Sequence, residues 1–343
     1  NTSLVQNSEV LSRSTSISSD EKTVRARFMI WNMSLKGFKE RPILGWGQEN
    51  YLQVFSKHFD PRLYDQEPWF DRAHNIVFDW LINAGILGLI SYVAIFVTLF
   101  LTLRDAFRKK LIGNKEGLIL LVIPIAYFIQ NFFVFDNFNT YVIFFTLLAY
   151  VNNLGKEEVG NVNKAKTTGV HNKFTASIIA GSLAVVAIAF AVYLVNVKPW
   201  QQARGIIESL AASADTVDPV DKTLEAFKKT LVLNTFGVTE TFEQLLRVST
   251  LIVDQDQISD QVKLAFINFA AAESEKYLNR FPKDIRVHIM IAGLYQAAIR
   301  LDSAFVVKTR DHYQTALALS PKKQHIYFVL AENYLRNQEI EKA

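Results

Sequence analysis

Residues 80–103 read WLINAGILGLISYVAIFVTLFLTL, 24 positions without a charge. Folded as a helix at ~1.5 Å per residue, such a run crosses a hydrocarbon layer of ~30 Å. Residues 174–197 (FTASIIAGSLAVVAIAFAVYLVNV) form a second run of the same length. Residues 117–135 offer 19 uncharged positions with Pro124 as a kink, and 138–151 a marginal 14 that need a thin or protein-lined crossing. The rival reading is buried helices of a soluble protein, but a soluble core rarely needs two clean runs this long. Composition agrees with helices. Of 343 residues, 50% are hydrophobic and 20% charged, which excludes disorder over most of the chain, while Gly (14) and Pro (8) are scarce. There is no Cys, which excludes disulfides, thiol nucleophiles, Cys-ligated zinc and iron–sulfur clusters.

Basic residues in short loops set orientation. Residues 104–116 carry five basic and two acidic side chains and 152–173 carry four Lys and two Glu, so both are expected in the cytoplasm. The turn at Asp136 and Asn137 has no basic residue and is expected outside. Four crossings satisfy all three loops. The net charge of +4 then records which loops stay inside, and no nucleic-acid partner is expected. Residues 1–75 fall outside, yet no charged and apolar leader precedes them. Earlier spans are therefore expected, with this chain as the C-terminal part of a larger membrane bundle.

From residue 198 the pattern turns amphipathic. Over 260–279, Val262, Leu264, Phe266, Phe269, Ala270, Tyr277 and Leu278 recur near helical period. An offset of 39 residues aligns Pro282 with Pro321, Ala292 with Ala331 and Tyr295 with Tyr334. Small Ala at close approaches, Tyr opposite and Pro at the turn resemble degenerate tetratricopeptide-type helix pairs, with a period longer than the usual ~34. Such stacks offer a concave surface for a protein partner; a plain helical bundle is the alternative. The expected organisation is all-α. An outer loop with interfacial helices (1–75) precedes polytopic transmembrane helices (76–151). A cytoplasmic linker (152–173), a further span (174–197) and extracytoplasmic helical repeats (198–343) follow.

Chemistry concentrates in 24–55 (VRARFMIWNMSLKGFKERPILGWGQENYLQVF) and 70–96 (FDRAHNIVFDWLINAGILGLISYVAIF). Arg27 and Trp31 share a helix face. Pro42, Gly45 and Gly47 mark a turn, and "GWG" is too weak a pattern for a phosphate loop. Asp71 is placed to cap a helix starting near Arg72, which puts His74 and Asn75 in its first turn at the membrane surface. Asp65, Glu67 and Asp71 invite a metal reading, but they are interleaved with Pro68, Trp69 and Phe70 without a His cluster. A solvated interfacial loop fits them better, and no metal or cofactor is expected. Gln130 and Asn131 are positioned to line a site or to bond between helices.

The Arg27–Trp31 helix, the turn at 42–47, the His74–Asn75 pair at the head of a span and AGILGLISY (84–92) together resemble the O-antigen ligase and polymerase family of bacterial membrane proteins. The resemblance covers roughly residues 10–150. It implies a multi-pass protein of the bacterial inner membrane catalysing an inverting, metal-independent glycosyl transfer. The donor is a glycan on an undecaprenyl-diphosphate carrier. The acceptor is lipid A core, a growing polysaccharide or, in some relatives, a protein. By position, Arg27 binds the donor diphosphate and His74 assists deprotonation of the acceptor hydroxyl. Arg25, Arg41 and Arg72 are further candidates for the diphosphate, and Asn75 for orienting His74 or bonding a sugar hydroxyl. The chemistry is consistent with those roles. Arg offers forked, permanently charged donors to phosphate, and a near-neutral His accepts a hydroxyl proton. Two rivals stay open: a non-enzymatic membrane-anchored scaffold for envelope assembly, and a lipid-linked sugar transporter, which should carry ionisable groups inside its spans.

Overall fold

Ala26, Ile30, Met33 and Gly37 fall at helical spacing on one side of Lys22–Glu40 and are all buried, which makes this segment an amphipathic helix, α1. The computed structural model describes residues 22–66, 68–154, 170–214 and 219–342; the expected linker at 152–173 lies largely outside them. The regular elements among the described residues are all helices, with no strand, and the chain divides into two compact units, one of residues 1–165 with 321–323 and one of the rest.

In the first unit, α1 packs on α2 (Tyr51–Lys57) and on the start of α3 (Ile76–Arg108). Ile30, Met33, Val54, Phe55, Leu63 and Ile82 form this small core. A side chain at Gly37 would overlap Val54 and press on Ile82, so the helices meet backbone to side chain there. Helices α4 (Asn114–Asn131) and α5 (Phe138–Leu154) pack on α3 through a second core that includes Tyr92, Phe96, Leu99, Tyr127, Phe144 and Leu147. Phe144 lies against Tyr127 with ring centroids 4.4 Å apart and near-parallel planes.

Helix α3 is not one rod. Gly85 has φ 65° and ψ −161°, a conformation open essentially to glycine alone. In an unbroken helix the Ile86 and Leu87 N–H groups would donate to Ile82 and Asn83. Instead they donate to the Pro42 and Ile43 carbonyls, at 2.8 and 3.5 Å. The vacated Ile82 and Asn83 carbonyls accept from Trp46 N–H (2.6 Å) and Gly47 N–H (3.1 Å). Loop 42–47 has entered the hydrogen-bond ladder of the helix. The bend is sharp. Trp80 and Tyr92 would stand ~18 Å apart along a straight helix, yet their rings stack at 5.3 Å. The uninterrupted arm is therefore 86–108, and the apolar run at 80–103 carries the break at Gly85 inside it, because the loop competes for the ladder.

Among the described residues, two helices are long and apolar enough to cross a membrane, Ile76–Arg108 and Gly181–Ser213. The runs at 117–135 and 138–151 form α4 and α5, of 18 and 17 residues.

In the second unit, α6 (Val170–Val192) continues through a π-turn (Tyr193–Val197) into α7 (Lys198–Ser213). Leu183, Val186, Ile188 and Phe190 on it are exposed. Then come α8 (Pro219–Leu233), α9 (Val238–Val253), α10 (Asp260–Arg280), α11 (Ile285–Ala297), α12 (Phe305–Leu319) and α13 (Gln324–Arg336). Successive helices pack as hairpins, and α9 also packs on α7 and on α11. Alternate helices begin at Lys198, Val238, Ile285 and Gln324, so the 39-residue spacing holds only for the last pair. Ala292 and Tyr295 are buried, with Tyr295 stacked on Phe305 at 5.1 Å. Buried Gln202 ties α7 to the next hairpin. It donates to Thr241 Oγ1 (2.9 Å) and accepts from Thr235 N–H (2.7 Å).

Two outcomes are expected. Gly85→Ala forces a glycine-only conformation, costing about 1–3 kcal/mol from the backbone alone, and its methyl would overlap the Ile43 carbonyl. Thermal unfolding in detergent should show a clear loss, whereas Leu44→Ala on the exposed loop tip should not. The second concerns His288. Its Nε2 lies 3.1 Å from the Pro282 carbonyl and its Nδ1 3.0 Å from His312, whose Nε2 meets Glu275 at 3.0 Å. Burial holds its pKa below the ordinary value of 6.5. As pH falls through that value the unfolded chain gains a proton that the folded chain resists, so this stability is present above ~6.5 and lost below it. Melting temperatures between about pH 7.5 and about pH 5.5 should fall less steeply in His288→Asn than in the parent.

Candidate functional site

The head of α3 is built by four side chains. Asn75, almost fully buried, is the N-cap, its Oδ1 accepting from Val77 N–H (2.9 Å) and Phe78 N–H (3.4 Å). One turn on, buried Asp79 turns back and accepts from Ala73 N–H at 2.8 Å. The Ala73 carbonyl accepts from Trp31 Nε1–H at 3.1 Å, and the Trp31 ring stacks on Phe78 at 5.9 Å. The helix thus starts at Ile76, capped by Asn75, and the expectation of an Asp71 cap near Arg72 is corrected. The reason is tertiary: Asp79 and Trp31 consume both peptide groups of Ala73, so residues 71–75 stay irregular.

His74 sits at the centre of this irregular stretch with φ 52°, in the left-handed region that few non-glycine residues adopt. Its ring lies 5.8 Å from Phe70 and 5.3 Å from Phe135. The Arg72 guanidinium covers the other ring neighbour, 5.3 Å above Phe135, and reaches Glu49 at 3.4 Å. Arg72, His74 and Asn75 are therefore brought together beside the turn between α4 and α5. Arg27, half-buried, lies one turn before Trp31 on the face that Trp31 holds against Ala73.

Arg25 and Arg41 are placed elsewhere. Arg25 is exposed, two residues from Arg27 and so off that face. Arg41 follows the far end of α1, ~21 Å along the helix from Arg27, with its guanidinium 4.3 Å above the Trp46 ring. Asp65 is paired with Lys22 at 2.9 Å, Asp71 is exposed, and Glu67 lies outside the described residues. No group of three or more metal-ligating side chains is positioned to hold an ion among the described residues.

Sequence reasoning misses two carboxylates. Asp79 falls just outside the apolar run that begins at Trp80, and Asp136 has the sequence context of a turn residue. It is buried, and its Oδ1 accepts from Tyr127 Oη (2.5 Å), Asn131 Nδ2 (2.6 Å) and Thr140 Oγ1 (3.4 Å). Arg72 and Asp136 both lie within electrostatic reach of Asp79. Among the described residues, Asn75 Nδ2, Asp79 Oδ2, Asn131 Oδ1 and Asp136 Oδ2 are buried with no hydrogen-bond partner. Buried polar atoms are rarely left so. The available signal was an acidic residue inside or beside an apolar run, which by itself marks a functional candidate.

Comparison with known proteins bears on this region. Residues 2–93 match the O-antigen ligase family model. No curated protein and no solved structure shows significant similarity to the chain. The O-antigen ligase family consists of integral inner-membrane proteins and points to polysaccharide assembly. The matched stretch holds Arg27, Arg72, His74 and Asn75 together with both partners of the Gly85 break, loop 42–47 and residues 82–87. The Asp136 cluster lies beyond it.

Asn75 provides a test of the local architecture. Asn75→Ala removes both cap bonds and should lower stability by ~1 kcal/mol. Asn75→Asp keeps the capping oxygen and should stay near the parent in thermal unfolding.

Proposed function

We propose that residues 22–137 contribute an outer-face glycosyl-transfer site, moving a glycan from an undecaprenyl-diphosphate carrier to lipid A core or to a growing polysaccharide. The observation that carries this reading is His74, held in a strained backbone between Phe70 and Phe135 next to Arg72, inside the ligase-matched stretch. The acceptor hydroxyl oxygen attacks the anomeric carbon as its bond to the diphosphate oxygen breaks. The hydroxyl proton passes to His74, and the electron pair of the broken bond leaves with the lipid diphosphate. Arg27 and Arg72 bind that diphosphate and stabilise its developing charge. Asn75, Asp79, Asn131 and Asp136 offer buried donors and acceptors of the kind sugar hydroxyls satisfy. Arg25 and Arg41, away from His74, are weaker candidates for the same diphosphate.

In this reading the arm 86–108, α4, α5 and the helix from Gly181 cross the inner membrane. The basic loops at 104–116 and 152–173 stay inside, and the helical hairpins lie on the outer side as a tetratricopeptide-like surface for a protein partner. Those stacked hairpins also favour a second reading, a membrane-anchored scaffold without transfer activity.

Assay of the full-length protein with a lipid-linked oligosaccharide and candidate acceptors separates the two. His74→Ala should lower transfer by about 10²–10⁴, and Arg27→Ala should also reduce it strongly, with membrane insertion intact in both. Undiminished transfer in both variants would remove the site assignment. No transfer by the parent with any acceptor, alongside intact partner binding, would favour the scaffold.

A further inference from the structure

The loop that breaks α3 has a second face. Ile43 and Leu44, at its tip, are 61% and 72% exposed although both are large and apolar. They are not isolated. The Ile43 carbonyl accepts from Leu87 N–H, so the tip adjoins exposed Ile86, Leu87 and Ile90 at the head of the apolar arm. The patch is continuous with the surface that the arm presents to lipid in the reading above, on which this inference rests. Contiguous exposed apolar surface of this kind marks a contact site.

Charge surrounds the same tip. Lys36, Lys39, Arg41 and Lys57 are all exposed on the adjoining ends of α1 and α2. Arg41 stacks on Trp46 at 4.3 Å, and Lys57 lies 5.8 Å from the same ring. Trp46 is fixed in turn by its Nε1–H donating to the Gly37 carbonyl at 2.8 Å. Glu40 is the acid within this group, engaged by Lys57 (2.6 Å) and His58 (2.9 Å). Glu49, past Gly47, faces Arg72 instead. A net positive rim with an interfacial Trp around an apolar tip is complementary to one partner, a bilayer surface with anionic phosphate headgroups.

We infer that loop 42–47 is an interfacial anchor. Ile43 and Leu44 enter the acyl layer of the outer leaflet, and Lys36, Lys39, Arg41 and Lys57 hold anionic lipid headgroups above it. The anchor sets the level of the membrane surface at the Gly85 break, which leaves His74 and the short arm Ile76 to Ala84 above that surface.

The chain has no Cys, so single substitutions can be labelled without background. Ile43→Cys, Leu44→Cys, Gln48→Cys and Val93→Cys, each in the full chain, would carry an environment-sensitive fluorophore in vesicles of phosphatidylethanolamine and phosphatidylglycerol. The expected result is strong quenching of positions 43, 44 and 93 by acyl-chain nitroxide lipids, and of position 48 by aqueous iodide. Combined Lys36→Gln, Lys39→Gln and Arg41→Gln changes should weaken quenching at 43 and 44 and remove its dependence on phosphatidylglycerol content. Iodide access at 43 and 44 with position 93 in lipid would overturn the anchor and leave the spanning arm standing. Iodide access at 93 as well would overturn the spanning reading itself. Protection of 43 and 44 from both quenchers would mean that protein covers the tip, which also overturns the anchor.

Discussion

The first unit depends on one exchange of backbone hydrogen bonds. Loop 42–47 takes the place of a helical turn at Ile82–Leu87, donating where the helix would have donated and accepting where it would have accepted. A bent apolar helix otherwise leaves peptide groups unpaired, at a cost no apolar packing removes. Here the ladder stays complete while its direction changes. The same loop is tied back to α1 by Trp46, whose main-chain N–H reaches Ile82 and whose indole N–H reaches Gly37. One residue thus fixes the distance between α1 and the break. Three glycines make the approach possible: Gly45 and Gly85 face each other backbone to backbone, and Gly88 leaves room for the Ala84 methyl, which a side chain there would overlap.

The helices and the apolar blocks were legible because hydropathy is additive along the chain. The break was not. It is an event of the backbone between partners about forty residues apart, and the glycines at 45, 47 and 85 each look local when read alone. The cap shows the same limit. Asp71 and Asn75 are both competent capping residues, and only the folded positions of Asp79 and Trp31 select between them. The grouping of Arg72, His74 and Asn75 was readable from adjacency. The separation of Arg41 from Arg27 follows from helix length once α1 is seen to run unbroken between them. Asp136 looked like an ordinary turn residue, because nothing in 135–137 announces that Tyr127 and Asn131 will close over it.

At the head of α3 the polar groups form two layers. Arg72 and His74 are half-buried at the edge, and Asn75, Asp79, Asn131 and Asp136 are buried behind them. In the buried layer, three donors converge on one oxygen of Asp136 while the other has none. Buried polar groups behind a residue in the left-handed region are a combination that functional sites share, and the proposed reading uses it.

The bare apolar helix of the second unit has a mechanical consequence. Gly181–Ser213 runs without interruption through the π-turn, and Gln202 pins its lower half to the next hairpin. A flexible tether would let the stacked hairpins swivel about the apolar end. A stiff rod denies that freedom. If the apolar end lies in the bilayer, as proposed above, a twist applied there arrives at the hairpins as torque, and a load on the hairpins is felt as rotation of that end.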